Sequence, residues 1–173
     1  MKNDAKGAHA LIINAFNRLL LTKRVKPRVT EIIAEAGVAR STFYEHFEGR
    51  DSLLMEALRG PLSVVADAVA VTGDETKLRA ILDHFRENRR EAAGLLEGPL
   101  RARVVRSLAE LIAVRLDAAL YNPSFDLHLA DMQIGLMRLW LTGETRHTSR
   151  ELAHLMIRSA SAQKAAMVEP ETH

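Results

Sequence analysis

Three features of this 173-residue sequence predict an all-α fold. Apolar residues recur at intervals of three and four along most of the chain, which places them on one face of a helix. No stretch shows the strict apolar–polar alternation of a half-buried strand. Glycines and prolines divide the periodic stretches into segments of ordinary helical length. Hydrophobic residues make up 47% of the chain, so these helices can bury a core without disulfides.

The opening stretch predicts four helices. The first carries a long apolar stripe formed by Ala8, Leu11, Ile12, Ala15, Phe16, Leu19 and Leu20. We expect Pro27 to open a short second helix and Gly37 to end it, because glycine adopts the left-handed conformation of a helix stop without strain. A third short helix is expected over residues 40–47, and a fourth from Arg50 or Asp51.

The same punctuation divides the rest of the chain. The Gly-Pro pair at 60–61 is expected to break or kink the fourth helix. Gly94 is expected to close a later helix, Ser124 to cap the penultimate one, and Gly143 to stop it. The spacing of Thr148–Glu151 is that of a capping box and predicts the start of the last helix.

Composition favours a soluble, cytoplasmic protein. The chain has no cysteine, which removes disulfides and thiolate metal sites. Its N-terminal apolar residues are spaced rather than continuous, so no signal peptide is predicted. No apolar run approaches the roughly 20 residues that a membrane span requires. We therefore expect no membrane association.

Charge is distributed unevenly along the chain. Residues 1–50 contain nine Lys and Arg against five Asp and Glu, whereas residues 51–173 contain fifteen against seventeen. A basic excess in one segment is typical of a surface that meets an anion such as nucleic acid. The alternative is chance asymmetry in a small sample.

The stretch GVARSTFYEHFEGRDSLL, residues 37–54, predicts a DNA-binding helix-turn-helix. Phe43 and Phe47 are spaced to pack on the first helix, while the opposite face of the third helix is polar. Such a helix fits the major groove of B-DNA, and its hydroxyl, phenol and imidazole groups suit phosphate oxygens and base edges. Arg50 stands at the start of the fourth helix, where the helix dipole also favours a phosphate.

The segment IIAEAGVARSTFYEHFEGRDSLL resembles the DNA-binding signature of the TetR family of transcriptional regulators. The positions that match this signature are Ile32, Ala36, Gly37, Val38, Thr42, Phe43, Tyr44, His46, Phe47 and Leu53. The resemblance covers about residues 8–58. It implies an all-helical protein in which residues 1–48 bind DNA and residues 49–165 bind an effector and dimerise. Residues 166–173 are expected to form a flexible tail, as chain ends commonly do.

Combined with the chemistry of the side chains, the resemblance gives one set of expected DNA contacts. These residues are Arg28, Thr30, Arg40, Ser41, Thr42, Tyr44, His46 and Arg50. Arg28 departs from the family because a threonine usually caps the second helix there, and Arg50 replaces the usual lysine. Helix capping is the alternative role for Ser41 and Thr42. Glu45 either accepts a hydrogen bond from a cytosine amino group or only lowers the affinity for DNA.

A second set of residues is expected at a dimer interface. Apolar residues lie on nearly all sides of the predicted helix 125–141, so it is buried in a domain centre or against a second subunit. Residues 135–157 resemble the last two helices of TetR regulators, which usually build the dimer. The residues expected to contact the partner are Leu136, Trp140, Leu152, Leu155 and Met156.

The resemblance implies a repressor that binds a palindromic DNA operator as a homodimer and responds to a small-molecule effector, whose binding residues the sequence does not identify. The alternative function is a helical dimer that acts through protein contacts and has a weakened DNA-binding face. The sequence contains no H-E-x-x-H pattern, no glycine-rich phosphate loop and no G-x-S-x-G motif. We therefore expect no enzymatic activity, no metal and no cofactor.

Overall fold

The computed structural model describes residues 2–23, 27–116 and 123–168, and the regular elements in these ranges are all helical, which confirms the all-α prediction. The α-helices are α1 (Lys2–Lys23), α2 (Val29–Ala36), α3 (Arg40–His46), α4 (Arg50–Asp67), α5 (Glu75–Glu87), α6 (Arg89–Glu97), α7 (Arg101–Ala113), α8 (Pro123–Thr142) and α9 (Ser149–Val168). A π-helical turn at Ala68–Thr72 follows α4 directly.

The chain forms two compact units, Met1–Arg59 and Gly60–His173. We call them the N-terminal unit and the C-terminal unit. Because α4 runs from Arg50 to Asp67, its first half belongs to one unit and its second half to the other. The functional boundary expected between residues 48 and 49 remains a prediction. The last helix continues to Val168, three residues into the predicted tail.

The N-terminal unit is built on one apolar core. Its buried members come from all four helices of the unit and from the turn after α3, and they are Ile12, Phe16, Leu19, Ile32, Phe43, Phe47 and Leu53. Each large apolar side chain contributes about 1.5–3 kcal/mol when it is removed from water. The side chain of Arg18 on α1 also pairs with Glu35 on α2, with Nε 2.9 Å from Oε1.

The turn between α2 and α3 follows the sequence prediction. Gly37 adopts the left-handed conformation with φ of 65°. Its N–H donates to the carbonyl of Ala34, and the N–H of Val38 donates to the carbonyl of Ile33. These two bonds satisfy carbonyls that the end of α2 would otherwise leave free. The turn therefore aims α3 away from the axis of α2.

The start of α2 corrects one expectation. Pro27 does not open the helix, which begins at Val29 with Arg28 as its N-cap. The carboxylate of Glu31 accepts a hydrogen bond from the backbone N–H of Arg28 at 2.8 Å. This is half of a capping box, because the Arg28 guanidinium has no acceptor for the backbone N–H of Glu31. It holds Arg28 in an extended conformation and delays the helix start.

Two further expectations about helix ends are also wrong, and a third is wrong in part. The Gly-Pro pair at 60–61 does not break α4, which runs without interruption from Arg50 to Asp67, and a kink there stays a prediction. Gly94 lies inside α6, because α5 ends earlier, at Asn88, whose side chain donates to the carbonyl of His84. Ser124 does not cap α8, because Pro123 is already the first residue of that helix, a position that suits proline.

In the C-terminal unit, α8 packs against α6, α7 and α9. Gly143, with φ of 87°, ends α8, as predicted. The predicted capping box also forms, because the hydroxyl of Thr148 accepts from the N–H of Glu151 and the Glu151 carboxylate accepts from the N–H of Thr148 at 2.7 Å. The Glu151 carboxylate accepts from both the backbone N–H and the hydroxyl of Thr148, and these two bonds hold its pKa below the usual value.

A half-buried arginine joins two helices of the C-terminal unit. The guanidinium of Arg115, just after α7, donates to Asp67 and Ser63 on α4, each at 2.6 Å, and to the carbonyl of Leu111. The planar fork of arginine suits several acceptors at once. The second half of α4 is thereby tied to the end of α7. The α8 helix also buries Asp126, and burial raises the pKa of this carboxyl.

Two glycines in helical surroundings give opposite predictions. We expect Gly37→Ala to lower the free energy of unfolding by about 1–2 kcal/mol, since a Cβ strains the left-handed conformation. We expect Gly94→Ala to raise it by about 0.5–1 kcal/mol, because Gly94 is inside a helix and a methyl group there meets no atom within 4 Å. Urea unfolding of both variants checks this. A loss of stability in Gly94→Ala would show that Gly94 ends a helix after all.

Candidate nucleic-acid interface

The α3 helix has one buried face and one exposed face. Phe43 is fully buried and Phe47 nearly so, as the sequence predicts. Arg40, Ser41 and Tyr44 are exposed, and 46% of Tyr44 is accessible. The polar side of α3 is thus held outward by the burial of two aromatic rings.

The remaining α3 residues expected at DNA lie around this outward face. Thr42 and His46 are half-buried, and Glu45 is exposed. The N-cap of α3 is Ala39, which has no side-chain acceptor, so Ser41 and Thr42 lie inside the helix and neither occupies the capping position. Their hydroxyls therefore do not have the alternative role that the sequence left open.

Ring contacts connect the core to the surface of α3. The rings of Phe43 and Phe47 have centroids 5.9 Å apart, and the Tyr44 ring stands edge-on to Phe43 at 5.3 Å. The guanidinium carbon of Arg40 lies 5.5 Å from the centre of the Tyr44 ring. The aromatic pairs have the edge-to-face and tilted geometries that rings prefer. A continuous series of contacts thus runs from the core to an exposed cation.

His9 on α1 belongs to this cluster, although sequence reasoning missed it. Its ring stacks on Phe47 at 5.1 Å with an interplanar angle of 25°, and it meets the edge of the His46 ring at 5.8 Å. The signal available in the sequence was its spacing, because His9 precedes the buried Ile12 by three residues and so shares its face of α1. The position of the His46 ring therefore depends on α1 as well as on α3.

Two of the residues expected to contact DNA, Arg28 and Thr30, lie at the start of α2. The side chain of Arg28 is 82% exposed, and its Nε lies 3.7 Å from the Glu31 carboxylate. Thr30 is exposed in the first turn of the same helix. An exposed pair at this distance is weak, so it leaves the Arg28 guanidinium able to exchange Glu31 for another anion.

Arg50 is the first residue of α4 and is half-buried. Before it, the N–H of Gly49 donates to the hydroxyl of Ser52, which donates in turn to the Gly49 carbonyl at 2.8 Å. The Arg50 guanidinium lies 3.2 Å from the carboxylate of Asp51. A phosphate at this helix start would meet both the helix dipole and a cation that is now shared with Asp51.

The residues expected at a dimer interface separate into two groups. Trp140, Leu152 and Met156 are at most 6% exposed, and the Trp140 indole donates to the carbonyl of His147 at 2.7 Å. These three side chains belong to the core of the C-terminal unit, so they have almost no surface left for a partner. Leu155 is 37% exposed and Leu136 is half-buried, so these two still offer apolar surface.

Among the described residues, none of the helices is both long and apolar enough to span a membrane. Within the same part of the chain, His, Asp and Glu side chains do not gather in any group of three or more that could hold a metal ion.

Comparison with known proteins supports the resemblance found in the sequence. Residues 28–57 match the family model described as bacterial regulatory proteins of the tetR family. No curated protein matches the chain. The match to the family model covers the end of the loop before α2, both helices of the helix-turn-helix, and the start of α4.

Two solved structures share the fold. A TetR transcriptional regulator from Streptococcus agalactiae 2603V is 24% identical, with a TM-score of 0.53, over 92% of this chain and 96% of that one. A tetR-family transcriptional regulator from Streptomyces coelicolor is 18% identical, with a TM-score of 0.51, over 96% of this chain and 82% of that one. The family match and these folds confirm the resemblance to TetR-family transcriptional regulators.

The contact of His9 with Phe47 gives a prediction about the stability of the N-terminal unit. We expect the free energy of unfolding of His9→Ala to be about 0.5–1.5 kcal/mol lower than that of Asn17→Ala. Both substitutions introduce a residue of higher helix propensity, but only the first removes a ring stack. Asn17 is a suitable control because it is exposed on the same helix. Urea unfolding of the two variants measures the difference. Equal stabilities would mean that His9 contributes nothing to the core.

Proposed function

We propose that this protein is a sequence-specific transcriptional regulator that binds a palindromic DNA operator as a homodimer and represses its targets until an effector binds. One observation carries the proposal. The segment that matches the tetR family model holds α3 by two buried rings and presents Arg40, Ser41 and Tyr44 to solvent. A short helix with such a face has the form of a recognition helix.

In this proposal α3 enters the major groove of the operator. Arg40 and Ser41, at its N-terminal end, approach base edges, since the first residues of a recognition helix lie deepest in the groove. The Tyr44 hydroxyl, the His46 imidazole and the Thr42 hydroxyl contact phosphates, which fix the orientation of the helix on the duplex.

Two helix starts flank α3 in this arrangement. The phosphates on one side of the groove are bound by Arg28 and Thr30, at the start of α2. Those on the other side are bound by Arg50, at the start of α4. All three belong to the N-terminal unit, so the complete set of DNA contacts comes from one compact body.

Dimerisation sets the form of the operator. A two-fold axis makes the two half-sites identical and inverted, with recognition helices about 34–36 Å apart. We propose that α8 and α9 supply the interface, as the resemblance implies, with Leu136 and Leu155 as the contacting residues that are still accessible.

The regulatory step uses α4, because this helix contributes to both units. An effector that binds the C-terminal unit would displace the second half of α4 and so change the separation of the two recognition helices. Such an effector must prefer the state that cannot bind DNA, since equal affinity for both states shifts no population.

A second candidate function rests on the acidic residues around α3. Glu45 and Glu48 are exposed at a surface that would face phosphates. If they prevent DNA binding, the protein acts through protein contacts as a helical dimer. Retention of genomic DNA fragments at about 100 mM salt separates the two functions, because only the first requires it.

The proposed phosphate contacts give a prediction about salt dependence. We expect Arg50→Ala to weaken operator binding and to reduce the slope of log affinity against log salt by about one for each protomer, because a cation no longer displaces a counterion. Tyr44→Phe should weaken binding with the slope unchanged, since a neutral hydroxyl displaces none.

Gel-shift titrations at 50 and 200 mM salt measure these slopes. Arg79→Ala is the control, because Arg79 is exposed on α5 and should affect neither quantity. An Arg50→Ala slope equal to that of the unchanged protein would remove Arg50 from the interface.

The proposed interface gives a prediction about oligomeric state. We expect Leu155→Glu to dissociate the dimer at micromolar concentration and to weaken operator binding at least tenfold, because a charge would be buried without a partner. Val114→Glu is the matched control, since Val114 is 79% exposed at the end of α7. Sedimentation velocity reports the state of both variants. A dimeric Leu155→Glu protein would place the interface elsewhere.

A further inference from the structure

We propose that the ring of Tyr44 holds Arg40 in position to read a guanine, a role separate from the contact between the Tyr44 hydroxyl and phosphate. Tyr44 is then a positioning residue and Arg40 the residue that determines base preference. This inference rests on the proposed DNA-binding function and extends it to one base of the operator.

The first step of the argument is that the Tyr44 ring has a fixed support. It stands edge-on to Phe43, with centroids 5.3 Å apart and planes at 84°. Phe43 is fully buried and also contacts Phe47. An exposed tyrosine usually has a choice of rotamers, but here one side of the ring rests on a side chain that the core holds in place.

The second step is that Arg40 lies over this supported ring. Its guanidinium carbon is 5.5 Å from the ring centre, within the roughly 6 Å range of a cation–π contact. The two residues are four apart on α3, so they are neighbours on the helix surface. Ordering a free arginine costs side-chain entropy, and the contact reduces the part of that cost left for binding.

The third step concerns the base that an ordered arginine recognises. Arg40 is the first residue of α3, at the end of a recognition helix that approaches base edges. The guanidinium fork matches the O6 and N7 acceptors of guanine in the major groove with two parallel hydrogen bonds. A lysine in the same place has neither the fork nor the planar group that stacks on a ring.

The ring and the hydroxyl of Tyr44 can be separated by substitution. Tyr44→Phe keeps the ring beneath Arg40 and removes the hydroxyl, whereas Tyr44→Leu removes both. Arg40→Lys keeps the charge and removes the fork. These three variants therefore distinguish base preference from phosphate affinity.

The experiment is selection of bound DNA from a randomised duplex library with the full-length protein and each variant, followed by sequencing. We expect the unchanged protein and Tyr44→Phe to select guanine at one position of each half-site, with lower overall affinity for Tyr44→Phe. The guanine preference of Tyr44→Leu should be about two- to fivefold lower than that of the unchanged protein, which is the factor that corresponds to an exposed cation–π contact. Arg40→Lys should lose about fivefold or more, the factor for one bidentate base contact.

Each result has a defined meaning. Undiminished guanine preference in Tyr44→Leu would overturn the positioning role, and undiminished preference in Arg40→Lys would overturn the assignment of the base. Arg40→Lys leaves Tyr44 and the core unchanged, so it remains informative if Tyr44→Leu fails to fold. If the unchanged protein selects no sequence at all, the proposed DNA-binding function fails rather than this inference.

Discussion

Burial of Phe43 and Phe47 is the constraint on which the candidate interface depends. A helix of seven residues is too short to be stable alone, so α3 exists because these two rings pack into the core of the N-terminal unit. The rings lie one turn apart on the same side, and their burial fixes the rotation of α3 about its own axis. The exposed positions of Arg40 and Tyr44, which flank the buried rings, therefore depend on where apolar surface is removed from water.

The same core also reaches the polar face of α3 through side-chain contacts. Phe43 supports the Tyr44 ring, and Phe47 is covered by His9, which in turn touches His46. Residues that would meet DNA are thus placed by residues that would not. Preorganisation of this kind lowers the entropic cost of ordering these side chains when DNA binds. It also means that a change on α1 can alter the interface without touching DNA.

Regulation by an effector would depend on a different property, the continuity of α4. A break at Gly60-Pro61 would leave the two units joined by a flexible hinge, whereas one helix carries displacement along its length. Proline in a helix interior is normally costly, because it removes a hydrogen bond and crowds the preceding turn. In this protein the buried Leu58 and Leu62 lie one turn apart on either side of the pair, so packing offsets that cost.

The sequence by itself determined the helical class, the helix-turn-helix and the two faces of α3. Each of these depends on spacing between neighbouring residues. The left-handed conformation of Gly37 and the capping box of Thr148 and Glu151 depend on such spacing as well. Such features are local, so a pattern of a few residues contains all the necessary information.

Only the tertiary structure decided which apolar residues are core and which surface contacts form. Trp140 and Leu155 both fit the apolar pattern, yet one is buried within the chain and the other is exposed. Gly94 has the composition of a helix stop but lies within α6, because Asn88 had already ended the preceding helix. The stacking of His9 on Phe47 joins residues 38 positions apart. Contacts at such a separation arise only when helices pack, so the local sequence around each residue does not contain them.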